Sequence, residues 1–260
     1  KKMQEKMKQT QEAMKKIEVE GAAGGDAVKI IMNGDGELKK IIFSDAAHKE
    51  SKEILEDLIV SAHTNAKLKL KEKTAEEISK LVWDGIAMFP RDSELYICPI
   101  LYPTGGFITP EPGSTEFILH VGESPLPPSD GFSACQSSFR RPARDMAPTE
   151  AKASCLYPNV ARSVQEANKK GFDTGVLVDP VGNVAEFSYA NLFMVVDGTA
   201  HTPAINGTFL NGITRQRIIQ LLQDDGIEVI ERSISPKELI HAEELFASGN
   251  YAKVTPCTRY

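Results

Sequence analysis

Residues 175–204 read GVLVDPVGNVAEFSYANLFMVVDGTAHTPA. β-Branched and aromatic residues fall in short runs, and each run ends at a turn signal, Pro180-Val181-Gly182-Asn183 or Asp197-Gly198. That punctuation predicts several short strands joined by tight turns. Working outward, SELYICPILYP (93–103) and STEFILHVGE (114–123) read as two further strands, and Lys152 to Lys170 reads as a helix that begins after a loop. Downstream, Thr214–Asp225 is an amphipathic helix with apolar Ile218, Ile219, Leu221 and Leu222, and Gly226 stands where a glycine closes a helix. IEVIERSI (227–234) is a strand, SPKELIHAEE (235–244) a helix with Pro236 in its first turn, and ELFASG (244–249) a strand. Short strands with helices between them, without a uniform βαβ repeat, make this half α/β.

The other half of the chain is built differently. KKMQEKMKQTQEAMKK (1–16) consists almost wholly of good helix formers, with Met3, Met7 and Met14 on one stripe. IEVEGAAGGDAVKIIMNGDGELKKIIFSD (17–45) alternates and carries Gly-rich turns, which predicts three strands. From Glu50 to Leu81 the pattern turns helical, with Ile54, Leu55, Leu58, Ile59 and Ala62 on one face and Lys67, Lys69, Lys71 and Lys73 following. The order is α-β-β-β-α. So thin a core, with apolar stripes on both helices, points to a dimerising module. The lysines read either as a solvated helix face or as point charges that grip phosphates.

Composition agrees with a two-module α+β chain. All 15 prolines lie at or after Pro90, and all arginines at or after Arg91. Residues 1–81 hold 16 Lys against 15 acids, while the net charge of the whole chain is −6. That balance excludes a bulk-basic nucleic-acid binder and leaves a local basic face open. Cys98, Cys135, Cys155 and Cys257 have no CxxC spacing, and the five histidines are scattered, so no metal site is expected. Reduced thiols fit the cytoplasm. No apolar run has membrane-spanning length, and no signal peptide is expected from the opening residues.

Three features of the second module could carry chemistry, and each has an ordinary reading beside it. Asn211-Gly212-Ile213-Thr214 opens a helix, where backbone N–H groups and a hydroxyl cradle phosphate; a plain Thr cap is the alternative. Lys152 lies between a Pro-Thr loop and a small-residue run; it is a nucleophilic amine or a surface lysine. Glu186 is a charge inside an apolar strand; it needs a buried cationic partner, or it faces water at an edge. Together an amine, a phosphate cradle and a buried carboxylate are what pyridoxal phosphate requires.

The segments ELYICP, PTEAKASCLYPN, GNVAEFSYANLFMV, TFLNGITRQRI and ELFASGNYAKVTP resemble the fold-type IV (class IV) pyridoxal-phosphate aminotransferases, most of all the branched-chain amino-acid type. The resemblance implies a Schiff-base role for Lys152, a hydrogen bond from Tyr157 to the cofactor's phenolic oxygen, and Glu186 on the pyridine nitrogen. It also implies phosphate contacts from Ile213, Thr214 and Asn250, and a substrate pocket with Tyr96 and Tyr251. Amino acids and 2-oxo acids would be the substrates. D-Amino-acid aminotransferase or aminodeoxychorismate lyase chemistry shares the same cofactor residues and ranks lower. This chain has Cys98 where the family usually has Arg, and the small domain and C-terminal end are expected to be cut short. The IEVEG, AAGGDAVK, NGDGELK and EILEDLIVSAHTNAK stretches resemble the YbaB/EbfC nucleoid-associated proteins, which implies a dimer that binds DNA with little sequence preference and an inactive aminotransferase remnant as the alternative function. The expected domains are 1–81 nucleoid-protein-like, 82–148 small-domain remnant and interdomain segment, and 149–260 pyridoxal-phosphate-binding.

Overall fold

In a computed structural model the chain forms two compact units, Lys1–Pro125 and Leu126–Tyr260. The structure describes residues 2–111, 113–127, 129–251 and 253–260. The side chains of residues 2–4, 6, 7 and 11 are not described, so the Met3 and Met7 part of the methionine stripe lies outside the described residues.

The first unit begins with the expected order: α1 (Lys2–Lys15), β1 (Glu18–Ala23), β2 (Val28–Asn33), β3 (Leu38–Phe43) and α2 (Lys52–Ile86). The three strands form an antiparallel sheet in the order β1-β2-β3. Strand alternation puts Val28, Ile30 and Met32 of β2 on one face, where they are buried with Val19, Ala62 and Ala66. Gly21 of β1 explains how helix and sheet come so close. A Cβ there would stand 2.2 Å from the Ala62 carbonyl oxygen and 2.3 Å from the Ala66 amide nitrogen. The N-cap of α2 is Ser51, whose side chain accepts from the Ile54 amide at 3.3 Å. Two of the lysines on α2 reach back to the sheet: Lys69 Nζ donates to the Glu20 carbonyl at 2.8 Å and Lys73 Nζ to the Glu18 carbonyl at 3.3 Å.

Helix α2 does not stop at Leu81 but continues unbroken to Ile86. Beyond it β4 (Leu95–Pro103) and β5 (Thr115–Glu123) make an antiparallel hairpin. Phe117 and Leu119 of β5 are buried against Leu81, with Ile78, Val82, Ile97 and Val121 packed around them. The last turns of α2 are therefore the floor on which the hairpin rests.

The second unit holds β6 (Phe132–Arg140), α3 (Tyr157–Lys169), β7 (Thr174–Val178), β8 (Val184–Phe187), β9 (Asn191–Val196), β10 (Thr199–Pro203), α4 (Ile213–Asp224), β11 (Val229–Arg232), β12 (Glu244–Gly249) and β13 (Lys253–Arg259). Eight strands form one mixed sheet, ordered β11-β10-β9-β12-β13-β6-β7-β8. The sheet curls: a bridge joins Phe187 to Ala190, and the Val184 amide donates to the Ile234 carbonyl at 2.8 Å. Val176, Phe187, Leu192, Met194, Ile234 and Leu245 are buried in its core. Asp197 and Gly198 turn β9 into β10 with φ of 50° and 73°, and Gly226 follows α4 with φ of 81°.

Four elements differ from the sequence reading. Lys152 is not helical; a 3₁₀ turn at Ser154–Leu156 intervenes and α3 starts at Tyr157, with Pro158 in its first turn. SPKELIHAEE forms only a 3₁₀ turn at Glu238–His241, because the buried Ile234 and Leu239 pin the segment. Strands β6 and β13 were not expected. Neighbouring carboxylates dock on the serines of β6. Glu166 accepts from Ser137 Oγ and the Ser138 amide, both at 2.8 Å, and Asp173 accepts from the Ser133 amide and Oγ, both at 2.7 Å. β13 contains Pro256, which cannot donate to a ladder. Among the described residues no helix is long and apolar enough to cross a membrane.

Candidate functional site

Strand β8 carries Glu186 into the interior of the second unit, where it is 8% exposed. Lys152, Tyr157 and Glu186 line one cleft, together with Arg141, Ser188 and Tyr189. The cleft has a cavity volume of about 70 Å³ and opens to solvent. Lys152 stands exposed on the loop before α3, and Tyr157 is the first residue of that helix.

The electrostatics centre on Glu186. Arg141, 5% exposed, places Nε 3.3 Å from Glu186 Oε1. The single Nε hydrogen is used elsewhere, donating to the Thr208 carbonyl at 2.9 Å. Asn191 Nδ2 reaches Glu186 Oε2 only at 3.5 Å and donates at 2.9 Å to the Leu210 carbonyl. Glu186 thus has a cation beside it but no short hydrogen bond to it. Burial prevails over the attraction of Arg141 and then Lys152, and pushes its carboxyl from an ordinary 4.5 up to about 7.

The phosphate-cradle candidates lie at the start of α4. Its N-cap is Gly212, with no side chain capping it, so Thr214 sits inside the first turn and the plain Thr-cap reading does not hold. Among the described residues no side chain caps the leading amides of α4. Ile213 is 87% exposed. A Cβ on Gly212 would lie 2.3 Å from Asn191 Oδ1, which ties the cap to the residue beside Glu186. Ile213 and Thr214 do not line the cleft itself.

Asn250 and Tyr251 occupy the exposed turn between β12 and β13, where Lys253 Nζ donates to the Asn250 carbonyl at 2.7 Å. The electrostatic influence of Tyr251 reaches the Tyr189 phenol. Tyr96 stands on β4 in the first unit, its ring 6.4 Å from that of His120. The structure thus brings Lys152, Tyr157 and Glu186 together, sets Ile213 and Thr214 one connection away, and leaves Tyr96 in the other unit. Arg141 is the residue that sequence reasoning missed. It is embedded in Arg140-Arg141-Pro142-Ala143-Arg144, which reads as a basic surface loop; no periodicity marks which arginine turns inward.

Residues 60–260 match the sequence pattern described as Amino-transferase class IV. The chain belongs to the class IV aminotransferase family. Residues 1–86 match the YbaB/EbfC DNA-binding family, so the two matches overlap along α2. Among curated relatives of this class IV chain, a probable branched-chain-amino-acid aminotransferase of Synechocystis sp. is 34% identical over 72% of this chain and 62% of its own length. A probable branched-chain-amino-acid aminotransferase of Aquifex aeolicus is 32% identical over 91% of this chain and 75% of its own. An aminotransferase from Brucella abortus, solved bound to the cofactor PLP, is 41% identical with a TM-score of 0.70 over 72% of this chain and 68% of that one. The branched-chain aminotransferase of Thermoproteus uzoniensis, solved with norvaline, has a TM-score of 0.66 at 32% identity, over 72% of this chain and 64% of that one. The class IV fold is therefore shown, and the chain spans less than two thirds of the first curated relative it matches.

Proposed function

We propose that the second unit binds pyridoxal phosphate and supports transamination of branched-chain or similar apolar amino acids to 2-oxo acids. The observation that carries this reading is Glu186, a buried carboxyl lacking a short hydrogen bond, in one cleft with an accessible lysine. A carboxyl that burial pushes up to about 7 fits a protonated ring nitrogen, which would add a second charge beside Arg141 and the short hydrogen bond that neither Arg141 nor Asn191 makes. The uncapped start of α4 fits a phosphate, through the Ile213 and Thr214 amides and the Thr214 hydroxyl. Tyr157 at the cleft wall would donate to the phenolic oxygen, and Asn250 and Tyr251 would approach from the β12–β13 turn. When bound, pyridoxal phosphate supplies the carbonyl carbon that takes the amino group and a ring that accepts electrons. Lys152 Nζ would anchor the group at rest, and as a free neutral amine it would carry the proton from the substrate α-carbon to the carbon that takes the amino group. Glu186 stays ionised while Arg141 holds it in place.

The absorption spectrum with added pyridoxal phosphate, followed by borohydride reduction and peptide mapping, tests this. Modification concentrated on Lys152 and abolished in Lys152→Ala is expected. Modification spread over the lysines of residues 1–81 would refute it. A donor panel then separates leucine, isoleucine and valine from D-alanine, and turnover of D-alanine alone would overturn the branched-chain assignment.

The match of residues 1–86 to the YbaB/EbfC DNA-binding family favours a second reading, in which that segment acts as a dimeric DNA-binding module. Lys67 and Lys71 are exposed on α2 and available to phosphates. A salt-sensitive mobility shift with duplex DNA is expected, and no shift at low salt would remove this reading.

A further inference from the structure

One buried carboxylate has no part in the function proposed above. Asp179, at the end of β7, is 1% exposed. Its Oδ1 accepts from the Val181 amide at 3.0 Å and the Asn183 amide at 2.9 Å, which shapes the tight turn into β8. Its Oδ2 accepts at 3.0 Å from Asn206 Nδ2, 27 residues away, and at 3.4 Å from Asn183 Nδ2 within the turn. Asn206 in turn uses Oδ1 to accept from the Thr208 amide at 3.1 Å and the Thr208 hydroxyl at 2.7 Å.

The loop fixed in this way, residues 206–212, is where the site residues converge. The Gly207 carbonyl accepts from the Thr149 hydroxyl, three residues before Lys152. The Thr208 carbonyl accepts from Arg141 Nε, and the Leu210 carbonyl from Asn191 Nδ2; these two residues flank Glu186. The loop then runs into Gly212, the N-cap of α4. Three carbonyls of one irregular segment thus hold the lysine loop and both neighbours of the carboxylate, and the segment's end is the phosphate candidate. Irregular loops have no ladder of their own to fix such spacing.

We propose that Asp179 is a positioning residue for the cofactor site: through Asn206 it clamps the 206–212 loop, and through that loop it sets the placement of Arg141, Asn191, Thr149 and the start of α4. The inference rests on the cofactor reading above for its functional meaning and on the hydrogen bonds alone for its geometry.

Isosteric exchange alters both contacts at Oδ2, and the compensating change at Asn206 singles out the one to the loop. In Asp179→Asn the oxygen that shapes the turn can remain, while an NH₂ replaces Oδ2 and meets the NH₂ of Asn206, donor against donor. If Asn206 flips to repair this, its oxygen leaves Thr208. The double variant Asp179→Asn/Asn206→Asp restores a donor facing an acceptor and keeps an oxygen for Thr208. Hydrogen exchange of the 207–212 amides in the cofactor-free protein is the first readout, and the Kd for pyridoxal phosphate by absorbance is the second. The single variant is expected to exchange about tenfold faster in that loop and to bind the cofactor about tenfold more weakly. The double variant is expected to recover both. Unchanged exchange in the single variant, no recovery in the double, or faster exchange with unchanged cofactor affinity would each overturn the proposal. Asn206→Ala, which leaves the turn at Asp179 intact, serves if Asp179→Asn does not fold. Failure of the unmodified protein to take up cofactor would sink the function proposed above, while the exchange measurement would still decide whether the clamp exists.

Discussion

Replacing Glu186 with Gln removes the one group whose burial most strongly opposes its charge, and the structure gives the size and sign of the effect. The carboxyl titrates at an ordinary 4.5 when unfolded and at about 7 when folded. Between those values the folded chain holds a proton that the unfolded chain has lost. Stability therefore falls as pH rises through this window and levels off above it. Two and a half pH units correspond to about 3 kcal/mol. The assay compares the second unit's stability at pH 5 and pH 8 in the cofactor-free protein and in Glu186→Gln. Exchange-protected amides of β7 and β8 report that unit, whereas Trp83, the sole tryptophan, lies in the first unit. The variant carries a fixed cost from leaving Arg141 without its anionic neighbour, but that cost is present at both pH values. His201, which burial and Arg232 push below its ordinary value, is common to both proteins. The unsubstituted protein should lose about 2.5 kcal/mol more than Glu186→Gln on going from pH 5 to pH 8, because the unfolded carboxyl is already mostly ionised at pH 5. Equal losses would refute the account of Glu186 as a buried carboxyl short of donors.

Three further outcomes follow from the packing. Gly21→Ala should cost about 2 kcal/mol or more, because its methyl would enter the backbone of α2; a thermal melt followed by circular dichroism checks it, and an unchanged melt would contradict the close approach. Leu81→Ala should cost about 2 to 4 kcal/mol and expose the β4–β5 hairpin to protease, since Leu81 is 2% exposed beneath Phe117 and Leu119; an intact hairpin after limited digestion would count against it. Glu166 is held down at about 2 by Lys170 and by donors from Ser137 and Ser138, against the opposing effect of burial. It therefore stabilises above its ordinary 4.5 and loses that contribution as pH falls toward 2. Glu166→Gln should cost about 1 to 2 kcal/mol at pH 7, given its partial exposure, and the cost should shrink in urea titrations at pH 3.

Much of this arrangement was legible in the residues. The apolar face of α2 (except for the exposed Ile54), the Asp197-Gly198 turn and the glycine after α4 each express a local rule, and each appears where that rule places it. Lys152 and Glu186 were legible as an amine and a misplaced charge, and they line one cleft. What escaped the reading depends on partners distant in sequence. Strand β6 looks like a loop until Glu166 and Asp173 dock on its serines. Arg141 looks like its basic neighbours until Thr208 and Glu186 fold around it. Thr214 reads as a cap until Gly212 is seen to occupy that position, leaving the helix end open.

Helix α2 spans 35 residues and serves two seats, one under the sheet at Ala62 and Ala66 and one under the hairpin at Ile78, Leu81 and Val82. A continuous α-helix turns about 100° with each residue, so the two seats are geared together like teeth on one shaft. Adding or deleting a single residue between them would leave every local helix preference intact, yet swing the hairpin's seat about a quarter-turn away from Phe117 and Leu119. An insertion of seven residues, close to two full turns, would nearly restore the phase while lengthening the shaft by about 10 Å. The spacing along this helix is therefore as strict a specification as any side chain on it.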